Sequence, residues 1–345
     1  MTTVRKLARL AQVSPSTVSR VLREHPHVRP EIRARVLELA ALHHYHPNRP
    51  MQHLMPGKGQ IIGCLVPSVS ALFYNHALDG IVATAYEELY HVVIMQTHLD
   101  AAMTHNALHA LIEQGVAGVL IITAHEQPLR GEALMELWSH DIHTVLLDNC
   151  STEFPLDTVL TDEDAVAMTA IRYLTGLGHR HLAMVERYTH LHATPHHRSR
   201  AQLFKQAMAT TGTVESLLEC ELRDDAGHDN TRAIWERILH ATPRPTAIWT
   251  TVDQLAWRLL RYAHEYGVRI PQDISLLGCG NLEASEWITP ALSTIEQHPE
   301  QIGRAAVSLL LRRIQSGEHP GAVPPESIMM PVTILERESC APLPS

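Results

Sequence analysis

Apolar residues near the amino terminus recur every three or four positions, in three separate stretches. Leu7 and Ala11 belong to the first stretch, Val18 and Val21 to the second, and residues 29–42 form the third. Positions with this spacing lie on one face of an α-helix. The pattern therefore predicts three short helices whose apolar faces share a small core.

The turn between the first two predicted helices carries the signals of a helix start. Ser14 is placed to accept a hydrogen bond from the amide of Thr17, and Pro15 then takes the first helical position, where no N–H is needed. Ser16 and Arg20 fall on the outer face of this helix. Small residues at its start allow close approach to base pairs, and an arginine one turn later reaches a guanine edge or a phosphate. We interpret the stretch as a helix-turn-helix unit that binds DNA; the alternative is an ordinary helical hairpin.

Beyond residue 59, short apolar runs alternate with amphipathic helical stretches. Residues 61–66 and 144–147 are runs of this kind. Near-continuous apolar strands separated by helices are typical of parallel, doubly wound sheets. A second series is expected to begin at Thr158 and to include 182–185. Two such sheets predict a body of two lobes with a cleft between them.

Charge is divided unevenly along the chain. The net charge is −9, yet residues 1–58 hold ten of the 28 Lys and Arg residues and only three of the 37 Asp and Glu residues. Residues 1–58, which we call the head, are therefore basic, and the remainder of the chain is acidic. A basic head attracts the phosphates of DNA, while an acidic body repels them and limits non-specific binding.

Three segments of the head together resemble the DNA-binding domain of the LacI/GalR family of bacterial repressors: VRKLARLAQVSPSTVSRVL (4–22), VRPEIRARVLELA (28–40) and YHPNR (45–49). Three further segments are similar to the periplasmic-binding-protein-like body of the same family: GLGHR (176–180), IPQDIS (270–275) and TPALSTI (289–295). The resemblance covers nearly the whole chain. It implies the α/β fold class, with an N-terminal three-helix helix-turn-helix head and a two-lobed body with doubly wound parallel sheets.

The resemblance also implies domain boundaries: 1–46 for the helix-turn-helix head, 47–58 for a hinge helix and linker, and 59–340 for the effector-binding body. Within the body we expect lobe 1 at about 59–158 and 293–323, and lobe 2 at about 159–290 and 325–338. In this family the hinge helix folds only when two copies pair on DNA, and a leucine at the position of Leu54 wedges into the minor groove. Pro50 and His53 depart from the small or β-branched residues usual there. The alternative for Leu54 is a linker residue without a role.

The residues expected to contact DNA differ in role. Base choice is assigned to Ser16 and Arg20, phosphate contacts to arginines of the head, and the minor-groove wedge to Leu54. The full predicted set is Thr3, Arg5, Ser14, Pro15, Ser16, Thr17, Ser19, Arg20, Arg23, Arg29, Asn48, Arg49 and Leu54.

An effector is expected at the carboxyl ends of the strands, where open parallel sheets bind their ligands. Asp148 and Arg200 match family positions that hold effector hydroxyls, and their alternative role is a salt bridge at the cleft edge. Phe73, at the end of an expected loop from Pro67, matches an aromatic wall. Trp249 either stacks on a planar ligand or belongs to the core. The predicted effector-binding set is Ser68, Phe73, Tyr74, Asp148, Arg198, Arg200, Trp249, Asp253 and Asn281.

Several positions depart from those of family members that bind sugars. GCGN (278–281) stands where these usually carry an aromatic residue and two aspartates, Val252 stands where Asn or Asp is common, and Leu203 replaces a glycine. Each buried hydroxyl without a partner costs about 1–3 kcal/mol. We therefore expect an effector that is less polar than a sugar, or aromatic, or no effector at all.

Sequence motifs for catalysis and metal binding are missing. There is no GxSxG nucleophile elbow, no GxxxxGK[ST] phosphate loop and no HExxH zinc motif, so we expect no enzyme activity. The five cysteines form no CxxC pair, which argues for reduced thiols and against a zinc cluster. The 25 histidines cluster at 43–46, 190–192 and 196–197 without the spacing of a tetrahedral metal site. We expect neither a cofactor nor a metal.

We predict a cytoplasmic protein, associated with the nucleoid when bound to DNA, because neither a signal peptide nor a membrane segment is recognisable. Its expected partners are a near-palindromic double-stranded DNA operator, a small-molecule effector of unknown identity and a second copy of the chain. Only ten residues follow Leu335, so we expect a dimer without a tetramer-forming helix. The predicted function is a transcriptional repressor controlled by an effector bound between the lobes. The alternative is a small-molecule-binding protein of the same body fold whose head does not function.

Overall fold

The head and the body are separate compact units in the computed structural model, residues 1–59 and 60–345. The structure describes residues 4–22, 28–42, 60–98, 100–122, 131–147, 155–187, 200–222, 224–225 and 228–343. Within these ranges, no helix is both long and apolar enough to cross a membrane.

Three helices form the head: α1 (Val4–Ala11), α2 (Pro15–Leu22) and α3 (Pro30–Leu42). Their buried side chains share one core, made of Leu7, Ala8, Ala11, Val18, Val21, Val36 and Ala40. Ser14 caps α2, because its Oγ accepts a hydrogen bond of 3.1 Å from the amide of Thr17. The three helices and the helix start that the sequence predicts are confirmed.

The body alternates strands and helices. Its first part consists of β1 (Ile61–Val66), α4 (Leu72–Glu87), β2 (His91–Gln96), α5 (Ala101–Glu113), β3 (Gly118–Ile122), α6 (Gly131–Ser139), β4 (His143–Leu147) and β5 (Asp157–Thr161). The middle part consists of α7 (Glu163–Gly176), β6 (His181–Arg187), α8 (Arg200–Thr211), β7 (Ser216–Leu222), β8 (Asp224–Asp225), β9 (His228–Asp229), α9 (Thr231–His240), β10 (Ala247–Thr250), α10 (Asp253–Glu265), β11 (Ser275–Cys279), α11 (Ala284–Trp287) and β12 (Ser293–Glu296). The last part consists of α12 (Pro299–Ser316), β13 (Ser327–Met330) and β14 (Thr333–Leu335).

Two six-stranded sheets organise these elements, one in each lobe. The sheet of lobe 1 has the order β13-β5-β4-β3-β1-β2, and every neighbouring pair is parallel. The sheet of lobe 2 has the order β14-β12-β11-β10-β6-β7, in which β14 runs antiparallel to β12 and the other pairs are parallel. Parallel strands bring their carboxyl ends to one edge, so each lobe has one edge suited to a ligand. The α/β fold class is confirmed.

The sheets place the lobe boundaries differently from the sequence expectation of 59–158 and 293–323 against 159–290 and 325–338. β5 pairs with β4 and β13, so the series of lobe 1 extends to Thr161. β12 pairs with β11 and therefore belongs to lobe 2, whereas β13 belongs to lobe 1. A short apolar run predicts a strand but not its neighbours, because the pairing partners come from distant parts of the chain.

The contact between α4 and α12 depends on two glycines. A Cβ atom added to Gly80 would lie 2.0 Å from the carbonyl oxygen of Glu300, and one added to Gly303 would lie 2.1 Å from that of Ala77. Only glycine lets the two backbones approach this closely. The contact packs α12, in the last part of the body, against α4, the first helix of the body.

The sequence patterns above predict neither α12 nor the strands β7, β13 and β14.

Candidate DNA-binding surface and interlobe site

The outer face of α2 carries three hydroxyl groups and an arginine. The Oγ of Ser14 lies 2.7 Å from Ser16 Oγ and 2.8 Å from Thr17 Oγ1. The side chain of Arg20 is exposed one turn further on, while Val18 on the opposite face is fully buried. Short hydroxyl side chains at a helix amino end leave room for a phosphate or a base edge, and the guanidinium supplies charge and paired donors.

In lobe 2, an ion pair joins the first residues of α7 and α8. Arg200 Nε and Nη2 each donate a hydrogen bond of 2.8 Å to a carboxylate oxygen of Glu163. Arg200 Nη1 also donates to the backbone carbonyl of Thr251 and lies 3.7 Å from Cys279 Sγ. A two-point guanidinium–carboxylate contact fixes the orientation of both side chains. Glu163 and Thr251 lie just beyond the carboxyl ends of β5 and β10, and Cys279 is the last residue of β11.

From Cys279 the hydrogen bonds continue into lobe 1. Cys279 Sγ donates to Gln297 Oε1 at 3.5 Å, and Gln297 Nε2 donates to Thr161 Oγ1 at 3.4 Å. Burial raises the pKa of the Cys279 thiol to about 12, so the thiol stays protonated and donates. Thr161 ends β5 of lobe 1 and Gln297 follows β12 of lobe 2, so this contact joins the lobes. We refer to Glu163, Arg200, Cys279, Gln297 and Thr161 as the interlobe network.

The carboxylate of Asp253 is wholly buried at the start of α10. It accepts hydrogen bonds from the amide of Leu282 at 2.8 Å, from Ser285 Oγ at 2.9 Å and from Thr294 Oγ1 at 2.6 Å. Burial raises the pKa of Asp253 in spite of these hydrogen bonds. The carboxylate fastens α10 to the loop after β11 and to β12.

Known proteins share both parts of this architecture. Residues 3–48 match the model of bacterial regulatory proteins of the lacI family, and residues 171–340 match that of a periplasmic binding protein-like domain. The HTH-type transcriptional repressor PurR of Vibrio cholerae is 28% identical over 327 residues, which are 92% of this chain and 93% of the repressor. The chain is a LacI/GalR-family transcriptional regulator. The resemblance drawn from the sequence is confirmed.

Two further proteins, one compared by sequence and one by structure, are similar to this LacI-family regulator along nearly its whole length. The ribose operon repressor of Haemophilus influenzae is 28% identical over 319 residues, which are 92% of this chain and 93% of that protein. A crystal structure of the lac repressor dimer, bound to operator and the anti-inducer ONPF, has the same fold with a TM-score of 0.79, 23% sequence identity and coverage of 99% of both chains. Head and body thus occur together in the relatives as they do here.

The predicted DNA contacts of the regulator fall into two sets. Those whose side chains the structure describes are all exposed except the half-buried Thr17: Ser14, Pro15, Ser16, Thr17, Arg20 and Arg29. The remainder lie outside the described residues or have side chains outside them: Thr3, Arg5, Ser19, Arg23, Asn48, Arg49 and Leu54. The hinge helix and its leucine wedge therefore stay predictions.

Among the predicted effector contacts, Asp148 and Arg198 lie outside the described residues. Arg200 forms the salt bridge that its alternative role predicts, and its role toward an effector stays a prediction. Asn281 Oδ1 accepts a hydrogen bond of 2.7 Å from Arg337 Nη2, and its Nδ2 donates to the Glu296 carboxylate. The polar groups of Arg200 and Asn281 thus form hydrogen bonds with other residues of the chain.

Trp249 and Asp253 are both buried and contact other groups of the chain, and their contact with an effector stays a prediction. The Trp249 ring is fully buried and stacks on Phe204 with the ring centroids 4.8 Å apart, as its core alternative predicts. The Asp253 carboxylate accepts its hydrogen bonds from three groups of the chain. Asp253 was predicted because it follows the end of a strand, and Trp249 because its ring could stack on a planar ligand; in the structure Phe204 of α8 covers the Trp249 ring. The direction of each side chain depends on this cover and not on the position in the sequence.

Phe73 and Tyr74 lie in the first turn of α4, which begins at Leu72. The loop expected to run through Phe73 is therefore shorter than predicted. The two rings meet edge to face with centroids 5.8 Å apart, and both are half-buried against the core of lobe 1. The Ser68 hydroxyl lies 2.8 Å from that of Ser70 in the preceding loop. Their contact with an effector stays a prediction.

Sequence reasoning missed Glu163, Gln297 and Thr161 of the interlobe network. Glu163 comes two residues after β5, Gln297 directly follows β12, and Thr161 ends β5. The rule that selected Asp253, a polar residue just beyond a strand end, applies equally to Glu163 and Gln297, whereas Thr161 is the last residue of its strand. Their partners could not have been named, because these lie in distant segments.

Proposed function

We propose that this regulator represses transcription as a homodimer on a near-palindromic operator, and that a small molecule bound between the lobes controls its affinity for DNA. The observation that carries the proposal is the exposed face of α2, where hydroxyl groups and Arg20 stand on a basic head. The same chain continues into a two-sheet body with polar groups at its strand ends.

In this proposal the two copies of α2 enter successive major grooves. Ser16 and Arg20 read base edges, while Arg29 and the other arginines of the head hold phosphates. Leu54 of each chain wedges into the minor groove at the operator centre. Two identical heads read two related half-sites, which is why the operator is expected to be nearly palindromic.

The interlobe network supplies a means of control. The hydrogen bond between Gln297 and Thr161 is one of the contacts that join the lobes, and it leads through Cys279 to Arg200. A ligand that favours one lobe arrangement changes the fraction of molecules able to bind DNA, with coupling of about 1–3 kcal/mol. Support comes from the lac repressor, whose structure holds both operator and an anti-inducer.

The state of the polar groups favours an effector with few hydroxyls. Asp253 and Asn281 are engaged with groups of the chain, and Arg200 is paired with Glu163. A sugar with many hydroxyls would have to displace these contacts. We therefore propose a less polar or aromatic effector. We also propose that the regulator has no catalytic activity and that it acts in the bacterial cytoplasm, on the nucleoid when bound to DNA.

Selection of bound duplexes from a random DNA library by the purified full-length protein tests the proposal. We expect an enriched palindrome with a fixed centre. Enriched half-sites without fixed spacing would contradict the paired hinge, and no enrichment, with or without a cell extract as a source of corepressor, would contradict operator binding.

The enriched palindrome then serves as the probe for effectors. We expect a member of an aromatic or weakly polar compound library to change the affinity of the wild type for this DNA. Arg200→Ala should abolish that response while operator binding without the compound survives. A response that is unchanged in Arg200→Ala would place the effector elsewhere.

A further inference from the structure

Two histidines and a glutamate meet on the surface of lobe 1. His105 and His109 lie one helical turn apart on α5, and Glu136 lies on α6. The two imidazole rings are edge to face with centroids 4.7 Å apart, and His109 Nε2 lies 3.4 Å from Glu136 Oε1. One nitrogen or oxygen from each of the three side chains lies within 4.8 Å of the others.

The packing of α5 against α6 holds these side chains together. Leu108 and Leu111 of α5 are buried in one core with Leu134 and Leu137 of α6. Residues four apart on a helix share a face, so His105 and His109 point to the same side. Because the leucines fix the two helices, the His pair and the glutamate stay neighbours while their ends remain in contact with solvent.

We propose that His105, His109 and Glu136 bind a divalent cation of the Zn²⁺ class, with water in the remaining positions. Imidazole nitrogens and one carboxylate form a common ligand set for this class of cation. Bonds of about 2.1 Å place neighbouring tetrahedral ligand atoms about 3.4 Å apart. The separation of His109 and Glu136 already has this value. Exposure of 48% for the His109 side chain leaves it room to turn.

A simple ion pair is the competing explanation. It accounts for His109 and Glu136 alone, whereas a metal ion would also engage His105, whose ligand nitrogen lies within 4.8 Å of the other two ligand atoms. The proposed ion would cross-link α5 and α6, and it would make this surface of lobe 1 more stable.

Zinc stoichiometry tests the proposal directly. Zn²⁺ is titrated into the full-length protein in competition with a chromogenic chelator, for the wild type and for His105→Asn/His109→Asn. Because the chain has 25 histidines, the decisive quantity is the difference between the two proteins. We expect the double variant to bind one Zn²⁺ fewer per chain. The control, His240→Asn/His264→Asn on exposed positions of α9 and α10, should keep the wild-type number.

A second readout separates the site from general binding by histidine. Glu136→Gln should weaken the specific Zn²⁺ site by about tenfold or more, because loss of even an indirect partner of a metal has an effect of this size. Zn²⁺ should raise the melting temperature of the wild type and of the His240/His264 control, but not that of the double variant. Equal Zn²⁺ stoichiometry and equal melting shifts in wild type and double variant would overturn the proposal.

Discussion

The head surface and the interlobe network differ in how far apart their residues lie in the sequence. Ser14, Thr17 and Arg20 belong to one short segment, and local capping and apolar spacing determine where they point. Glu163 and Arg200 are 37 positions apart, and Thr161 and Gln297 are 136 apart. Ser14, Ser16 and Arg20 of the head are exposed, whereas Cys279, Gln297 and Thr161 of the network are buried. A site made from local sequence is predictable, and a site made from strand ends depends on the pairing of the strands.

Removal of the buried carboxylate of Asp253 should have the largest effect. Asp253→Ala leaves three buried donors without their acceptor, and we expect a loss of at least about 3 kcal/mol in the free energy of unfolding of the body. Urea unfolding followed by fluorescence measures it. The exposed Asp79 provides the control, since Asp79→Ala should change little. A small effect of Asp253→Ala would show that the long-range contacts matter less than this account holds.

Damage to the head core should leave the body intact. Leu7 is fully buried, so Leu7→Ala should cost the head about 2–5 kcal/mol and abolish DNA binding. Calorimetry should show that the body unfolds at its wild-type temperature, because the two units are compact on their own. Leu10, which is 39% exposed, provides the matched control for stability. If the unfolding temperature of the body fell together with that of the head, the claim that the two units unfold independently would be contradicted.

A methyl group at the contact of α4 and α12 should have an intermediate effect. Gly303→Ala would press a Cβ against the backbone of Ala77, and we expect a loss of about 1–3 kcal/mol. Gly176 at the end of α7 has nothing within 4 Å of such a Cβ, so Gly176→Ala should be neutral or slightly stabilising. Equal effects of the two variants in urea unfolding would refute the close approach.

How much the sequence reveals differs between these regions for a physical reason. Helical spacing and the cap at Ser14 identify α1 to α3, since such signals act over a few residues. The parallel sheets follow from repeated apolar runs, but the membership of β5 and β12 does not. α12 was not predicted, although its apolar face fills the core of lobe 1. Trp249 and Asp253 show the same limit, because burial of a side chain depends on what covers it.

The buried His179, in the GLGHR segment, should give the smallest effect. Burial lowers the pKa of this histidine, so the unfolded chain binds the proton more readily than the folded one. The free energy of unfolding should therefore fall as the pH drops below about 6.5, by at most about 1.4 kcal/mol per pH unit from this group. His179→Gln should flatten that dependence in urea unfolding measured between neutral and mildly acidic pH. The same slope in wild type and variant would assign the dependence to other histidines.

The most direct test of the central claim is the affinity of Arg20→Ala for the selected operator and for random duplex DNA. We expect a loss of about 10- to 100-fold on the operator and a much smaller loss on random DNA, because Arg20 reads a base edge in the proposed mode of binding. Arg172→Ala, an exposed arginine on α7 of the body, should bind both DNAs as the wild type does. Equal losses on operator and random DNA for Arg20→Ala would contradict base reading by α2 and reduce this residue to a phosphate contact.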